Sequence, residues 1–167
     1  MQKADDLVVY GSAGVCRIVG AETREVGGKT SEYLVLRPVQ NGSATVYVPK
    51  DCDALVKKMK SVLSVADVLE LIHSIPKIET VWIDNDNERR NTYRDIVSRA
   101  DRSELLSLIK TLYLHREKQH AVGKKLRVTD ERYLSEAEKI LHGEFSFVLG
   151  IKREDLETFI KDELNLA

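Results

Sequence analysis

From residue 7 to about residue 49, the apolar positions have the pattern of β-strands: residues 15–23 alternate with a period of two, and the other segments are short β-rich apolar runs. The predicted strands cover residues 7–10, 15–23, 33–36 and 44–48. Gly27-Gly28 is a turn signal, and Asn41-Gly42 is a strong signal for a tight hairpin. Short strands separated by glycine turns predict a small barrel-like antiparallel sheet, which we interpret as a binding module.

From about residue 53 onward, the apolar positions recur at helical spacing. The predicted helices start near residues 55, 64, 86, 101, 129 and 153. The first of these covers residues 55–63. Ser64 and Asp67 have the spacing of a capping box. Asp86 or Asn87 is the predicted cap of a later helix, and Thr129 is the predicted cap of another.

The change of period divides the chain into an N-terminal β domain, residues 1–53, and an all-α domain, residues 54–167, so the predicted fold class is α+β. The 167 residues are 43% hydrophobic and 32% charged, an ordinary globular composition that can bury a core without disulfides or metals. The chain shows neither a signal-peptide pattern nor an apolar run of transmembrane length, so we expect a cytoplasmic protein.

The residue types that carry catalysis form no recognisable constellation. Cys16 and Cys52 are not a CxxC pair, and Cys16 lies in an alternating apolar segment where a small core residue is expected. His115 and His120 are spaced so that they do not share a helix face as metal ligands would. Glycine-rich phosphate loops and the HExxH and GxSxG motifs are missing. We therefore expect no enzymatic activity, no metal and no cofactor.

The formal net charge of -1 hides a separation of charge along the chain. Residues 88–127 carry 11 basic and 5 acidic side chains, whereas residues 128–167 carry 5 basic and 10 acidic ones. Arg89 and Arg90 lie in the first turn of a predicted helix, where positive charge opposes the helix dipole, so helix stability does not explain them. Two interpretations stay open: a solvated helix face, or a patch that binds phosphates in a salt-dependent manner.

Trp82 is the only tryptophan, and it lies in a connector, residues 77–85, between two predicted helices. One interpretation is a hydrophobic plug that packs these helices together. The other is an exposed aromatic side chain that stacks on or wedges against a base step beside the basic residues. The exposure of the ring distinguishes the two.

Segments in the right order along almost the whole chain resemble one known family. The strand segments are VVYGSAG, GVCRIVGAETREV, EYLVL and TVYVP, and the helical ones are KSVLSVADVLELI, ERRNTYRDIVSRADRSELLSLIKTLYLHR and LSEAEKILHGEFSFVLG. Together they are similar to the CarD/CdnL family of bacterial RNA-polymerase-binding transcription regulators. The β segments alone are shared with the transcription-repair coupling factor, whereas their combination with this helical part is specific.

The resemblance implies an N-terminal Tudor-like small antiparallel β barrel that binds the RNA polymerase β subunit. It also implies an all-α C-terminal domain that contacts promoter DNA near the upstream edge of the bubble and stabilises the open complex. The resemblance implies no enzymatic activity, no cofactor, no small-molecule substrate and no membrane association. It implies a cytoplasmic protein that is associated with the nucleoid through RNA polymerase. The alternative is a protein-interaction adaptor that uses the β module without direct DNA contact.

The resemblance also implies the residues that bind RNA polymerase. Arg24 occupies the position of an arginine that family members carry at the end of the second strand, and Val26 is its apolar neighbour. Tyr47 stands where the family often has a second arginine. Tyrosine is itself common at protein interfaces.

The implied DNA-binding residues are Trp82, Arg89, Arg90 and Arg94. Many family members place a tryptophan immediately ahead of paired arginines at a helix start. Arg89 and Arg90 fit these arginines, but Asp86 falls near the place of the tryptophan. Trp82 lies four residues earlier, so either it has the same role from the connector or the wedge is absent.

Overall fold

The computed structural model of the chain describes residues 3–40 and 42–165. They form two compact units, which meet in sequence between Val62 and Leu63. We call the part before this point the β unit and the part after it the helical unit. A sheet followed by helices is the α+β class that the sequence predicts. The division lies later than the predicted boundary after residue 53, because the segment that follows still adds a strand to the sheet.

The described part of the β unit is a five-stranded antiparallel sheet with the strand order β4-β3-β2-β1-β5. Its strands are β1 (Leu7–Tyr10), β2 (Val15–Val26), β3 (Lys29–Pro38), β4 (Val46–Pro49) and β5 (Met59–Ser61). Among the described residues β4 and β5 are not paired with each other, so the barrel predicted from the strand pattern is not closed. Asn41 of the predicted tight hairpin lies outside the described residues.

One face of this sheet carries the core of the β unit. Its buried members are Val8, Cys16, Ile18, Leu34, Leu36, Val48 and Met59. Cys16 is fully buried, and burial raises the pKa of its thiol to about 11, so the thiol stays protonated at neutral pH. The prediction of a small core residue at this position is confirmed.

Residues 55–63, predicted as a helix, contain only the end of a one-turn helix, α1 (Asp53–Val56), followed by β5. β5 pairs with β1 through Val8 opposite Ser61 and Tyr10 opposite Met59. This pairing satisfies backbone groups of β1 that otherwise form an open edge. The helical prediction was wrong here because the spacing of apolar residues does not show which distant strand needs a partner.

The described residues of the helical unit form five main helices around one core. They are α2 (Val65–Ser74), α3 (Asp86–Arg99), α4 (Arg102–Ala121), α5 (Val128–Leu149) and α6 (Arg153–Glu163). α5 packs against each of the other four helices and is central to the core. The fully buried side chains include Ile72, Tyr93, Leu108, Leu112 and Leu141. In the part of the chain that the structure describes, no helix has the length and apolar character needed to cross a membrane.

The helix starts are partly as predicted. The Ser64 hydroxyl accepts a hydrogen bond from the Asp67 backbone N–H at 3.1 Å, and the Asp67 carboxylate accepts one from the Ser64 N–H at 3.3 Å, which confirms the capping box. Thr129 is not a cap, because α5 already starts at Val128. Two acidic side chains in the first turn of α5 stabilise that end instead.

The cap of α3 is Asn85 rather than Asp86 or Asn87. The Asn85 side chain accepts a hydrogen bond from a backbone N–H of the first turn at 2.9 Å. Asp86 is therefore available for another partner, and its carboxylate accepts a hydrogen bond from Arg89 at 2.8 Å. This hydrogen bond lowers the pKa of Asp86.

His142 on α5 makes the stability of the helical unit depend on pH. Burial, together with the nearby Arg153, lowers the pKa of His142 from 6.5 to about 4. Between these two values the unfolded chain binds a proton that the folded protein does not bind, so stability falls as the pH falls. We expect a loss on the order of 2 kcal/mol between about pH 7 and about pH 4.5.

Denaturant unfolding at the two pH values measures this loss. His142→Gln removes the titrating group and is expected to flatten the dependence on pH. His120→Gln, at an exposed position of α4, is the matched control and is expected to keep it. Equal dependence on pH in the wild type and His142→Gln contradicts the assignment.

Candidate interaction sites

The three residues predicted to bind RNA polymerase lie on one face of the sheet. Arg24 on β2 is opposite Ser31 on β3, and Tyr47 on β4 is opposite Val35 on β3. Side chains alternate along a strand, and Ser31 and Val35 are an even number of residues apart, so Arg24 and Tyr47 share a face. Val26, two residues after Arg24, lies on it as well. We call this side of the sheet, opposite the core, the outer face.

The outer face has the chemistry of a protein interface. The Arg24 guanidinium carbon lies over the Tyr47 ring, 4.2 Å from its centroid, which is a cation–π contact. Tyr47 is 39% exposed and Val26 is 62% exposed. Arginine and aromatic side chains next to exposed apolar surface are enriched where proteins bind one another. The sequence names these residues, and the three adjacent strands bring Arg24 and Tyr47 into contact.

Tyr33 also lies on the outer face, although it was not among the predicted site residues. It lies on β3 between the positions opposite Arg24 and Tyr47, and its side chain is half-buried. The alternation of the predicted third strand contains the signal, because Tyr33 and Val35 are two residues apart. A second tyrosine on this face enlarges the aromatic surface available to a partner.

The edge of the sheet beside the outer face is open. Within the described residues β4 pairs only with β3, so the other side of β4 has backbone groups available for the strand of a partner. Pro49 at the end of β4 has no N–H and limits this edge to the residues before it.

Two of the four predicted DNA-binding residues are exposed arginines on α3. Arg90 and Arg94 lie one helical turn apart. Arg90 donates a hydrogen bond to the Asn87 side chain at 3.2 Å, and Arg94 lies 3.6 Å from the Asp95 carboxylate. Exposed interactions of this kind contribute little stability, so both guanidinium groups can exchange them for a phosphate.

Arg89 is 4% exposed, unlike its neighbour on α3. Its Nε donates to the Asp130 carboxylate at 3.0 Å, its Nη2 donates to Asp86 at 2.8 Å, and its Nη1 donates to the Ile83 carbonyl at 2.9 Å. Burial acts to lower the pKa of Arg89, but the hydrogen bonds to the two carboxylates outweigh it and raise the pKa. Arg89 is therefore charged and joins α3, α5 and the connector, while its predicted DNA contact stays a prediction.

Trp82 lies in the connector with 37% of its surface exposed. The His115 imidazole stacks on the indole, with ring centroids 3.8 Å apart and planes 19° apart. The Arg89 guanidinium carbon lies 4.5 Å from the indole centroid, and the indole Nε1 donates to Asp84 at 3.0 Å. We call Trp82, Arg89, His115 and Asp130 the Trp82 cluster. His115 was not among the predicted site residues, and its spacing along the chain contains no signal for this contact.

The connector backbone beside Trp82 is held on both sides. The Val81 N–H donates to the Thr111 hydroxyl at 2.8 Å, and the Val81 carbonyl accepts from the Tyr93 hydroxyl at 2.9 Å. Burial raises the pKa of Tyr93 to about 12, so its hydroxyl stays protonated as a donor. The Lys110 ammonium donates to two carbonyls of the turn before the connector and to one at the start of the connector. Trp82 thus projects from a backbone of fixed position.

A second basic surface lies where α4 ends and α5 begins. An open groove of about 800 Å³ is lined by Arg116, Lys125 and Arg132, together with Glu131 and Glu136. The ion pairs Arg116–Glu131 and Arg132–Glu136 are long, at 3.8 and 3.9 Å. Two of the three cations belong to residues 88–127, the segment with an excess of basic side chains. None of the three was among the predicted DNA-binding residues.

Residues 3–60 match the CarD-like/TRCF RID domain, which is the RNA-polymerase-interacting domain of CarD-like proteins. The match includes all of β1 to β4 and most of β5. The resemblance predicted for this part of the chain is confirmed. A domain of this type is a protein-interaction module, in agreement with the chemistry of the outer face.

Proposed function

We propose that this chain, whose residues 3–60 form an RNA-polymerase-interacting domain of the CarD-like/TRCF type, regulates bacterial transcription initiation by stabilising the promoter open complex. The observation that carries the proposal is the domain match, because it names the partner. The surfaces of the two units support it, since one has the chemistry of a protein interface and the other that of a phosphate-binding surface.

The β unit binds the β subunit of RNA polymerase through the outer face. Arg24 is held against the Tyr47 ring, so its side chain is partly ordered before the partner arrives. Such preorganisation lowers the entropy cost of binding. Val26 and Tyr47 supply apolar surface, and the open side of β4 offers backbone groups to a strand of the polymerase.

The helical unit contacts promoter DNA near the upstream edge of the bubble. Arg90 and Arg94 supply two exposed cations on one helix face, and Trp82 supplies a partly exposed aromatic ring close to them in sequence. Arginine beside an exposed aromatic side chain is a common combination for phosphate contact and base stacking. Arg89 lies behind this surface and supports it.

The balance of charge fits delivery of the protein by the polymerase. A total of -1 does not attract the chain to DNA by itself, whereas residues 88–127 carry a local excess of basic side chains. A few phosphate contacts suffice once the β unit is bound to RNA polymerase, because the effective concentration of promoter DNA is then high. Weak contacts of this kind still lengthen the lifetime of an open complex.

The double variant Arg90→Glu, Arg94→Glu is expected to shorten the lifetime of the open complex roughly tenfold at low salt, because two phosphate contacts are replaced by repulsion. Binding to RNA polymerase is expected to stay unchanged. Lifetimes measured at several salt concentrations test this, since the slope against log salt decreases by about 1 for each phosphate contact that is lost.

Lys139→Glu, Lys152→Glu is the matched control, because it makes the same charge change at exposed positions of the acidic segment. This control is expected to behave as the wild type does. If Arg90→Glu, Arg94→Glu gives the wild-type lifetime, these two arginines make no phosphate contact. If, in addition, the wild-type protein leaves the footprint of the promoter complex unchanged, the chain is a protein-interaction adaptor.

A further inference from the structure

Four separate segments meet at the Trp82 cluster. Trp82 comes from the connector, Arg89 from α3, His115 from α4 and Asp130 from α5. The indole is in contact with the imidazole at 3.8 Å and with the guanidinium at 4.5 Å, and the guanidinium is in turn bonded to the Asp130 carboxylate at 3.0 Å. An aromatic side chain that only filled space in the core would not need two polar groups against its ring.

The ring is nevertheless not buried. Trp82 is 37% exposed, unlike the fully buried aromatic side chains of the helical core such as Tyr93. The exposed fraction is held in one place, because Val81 is bonded through both its N–H and its carbonyl and the indole Nε1 is bonded to Asp84. The arrangement fixes the position of a partly exposed tryptophan side chain.

We infer that Arg89 and His115 are positioning residues that hold the Trp82 ring for contact with a DNA base, and that Arg89 itself does not touch DNA. The inference deepens the proposed function and rests on it. The Arg89 Nε donates to a buried carboxylate, so the side chain cannot offer Nε and an Nη group together for bidentate binding of a phosphate. Turning Arg89 outward would leave Asp130 buried without its partner, which opposes such a movement.

His115 suits this role as a neutral ring. Burial lowers its pKa, Arg89 from α3 and Lys118 from α4 lower it further, and Asp130 from α5 opposes them in part. One ring nitrogen lies 3.1 Å from the Gln119 amide, which orients the ring against the indole. At neutral pH an uncharged imidazole therefore stacks on Trp82 next to the cationic Arg89, without repulsion between two charges.

The fluorescence of the single tryptophan reports this contact directly. A protonated imidazole in contact with an indole quenches its emission, so the intensity in the full-length wild-type protein is expected to fall at a midpoint below pH 6.5. His115→Phe keeps an aromatic partner but cannot be protonated, and its emission is expected to lose this transition. A transition that is unchanged in His115→Phe, or missing from the wild type, overturns the inferred stacking.

The lifetime of the promoter complex tests the positioning role. Trp82→Ala and His115→Ala are each expected to shorten the lifetime of the promoter complex about three- to tenfold. Combining these two substitutions is expected to cause little further loss, because they remove the same contact. His115→Phe is expected to keep the wild-type lifetime. Wild-type binding to RNA polymerase and unchanged circular dichroism establish that the variants are folded.

The same variants distinguish a failure of the positioning role from a failure of the DNA contact. If Trp82→Ala shortens the lifetime whereas His115→Ala does not, or if His115→Phe fails to restore it, the positioning inference is wrong and the proposed function stands. If neither Trp82→Ala nor Arg90→Glu, Arg94→Glu changes the lifetime, the proposed DNA contact itself is wrong.

Discussion

Arg24→Glu is expected to weaken binding of the chain to RNA polymerase at least about thirty-fold, equivalent to roughly 2 kcal/mol or more. The substitution removes the guanidinium that lies over the Tyr47 ring and places a negative charge on the outer face. Arginine beside an exposed aromatic ring is the usual composition of a binding hot spot, and reversing the charge at its centre places an unmatched carboxylate in the interface. Titration of purified RNA polymerase with the labelled protein gives the affinity.

Lys58→Glu is the control for the change of charge. Lys58 is exposed and precedes β5, at the opposite edge of the sheet from β4, so its reversal is expected to leave the affinity within about twofold. Tyr47→Phe keeps the ring under Arg24 and is expected to bind well, whereas Tyr47→Ala is expected to lose about tenfold. Wild-type affinity in Arg24→Glu assigns polymerase binding to another surface of the β unit.

Asp130→Ala is expected to lower the free energy of unfolding of the helical unit by about 3 kcal/mol. Asp130 is buried, and its carboxylate is one of the two that neutralise the buried Arg89 guanidinium. Removing one partner of a buried ion pair leaves an uncompensated charge, which is the reason for the large cost. Asp86 stays bonded to Arg89, so the effect lies at the lower end of the range for such pairs.

Denaturant unfolding followed by Trp82 fluorescence measures this loss in the full chain, because the single tryptophan lies in the helical unit. Asp95→Ala removes an exposed carboxylate that lies 3.6 Å from Arg94, and its effect is expected to stay within about 0.5 kcal/mol. Asp130→Asn keeps the shape and one acceptor, and an intermediate loss is expected. A stability of Asp130→Ala equal to that of Asp95→Ala contradicts the structural importance of the buried pair.

The sequence predicts well those elements that depend on interactions between residues close together in the chain. The Ser64–Asp67 capping box depends on residues three apart, and the strand around Cys16 depends on the alternation of its immediate neighbours. The residues 55–63 were misassigned because the partner of β5 lies at the other end of the β unit. The open sheet differs from the predicted barrel for the same reason, since closure depends on distant strand edges.

In the candidate sites, too, some features depend on local sequence and others on tertiary packing. Resemblance to a known family named Arg24, Val26 and Tyr47, and alternation along β3 explains why they share a face. Arg89 and Arg90 are adjacent and identical in type, so local sequence treats them alike. Only the packing of α3 against α5 decides that Arg89 is buried against Asp130 while Arg90 stays exposed.

Strands β1 to β4, the start of α2 and the separation of charge follow from the amino-acid sequence, because periodicity, capping and charge are local properties. The polymerase-interacting domain is identified by its resemblance to a known family. The tertiary structure alone decides which arginine is available to a phosphate, which ring stacks on Trp82 and how much of that ring faces solvent. These depend on contacts between segments that are far apart in the chain, such as Arg89 with Asp130 and Trp82 with His115. Burial and partner choice are set by the packing of the whole unit, and no short stretch of sequence contains them.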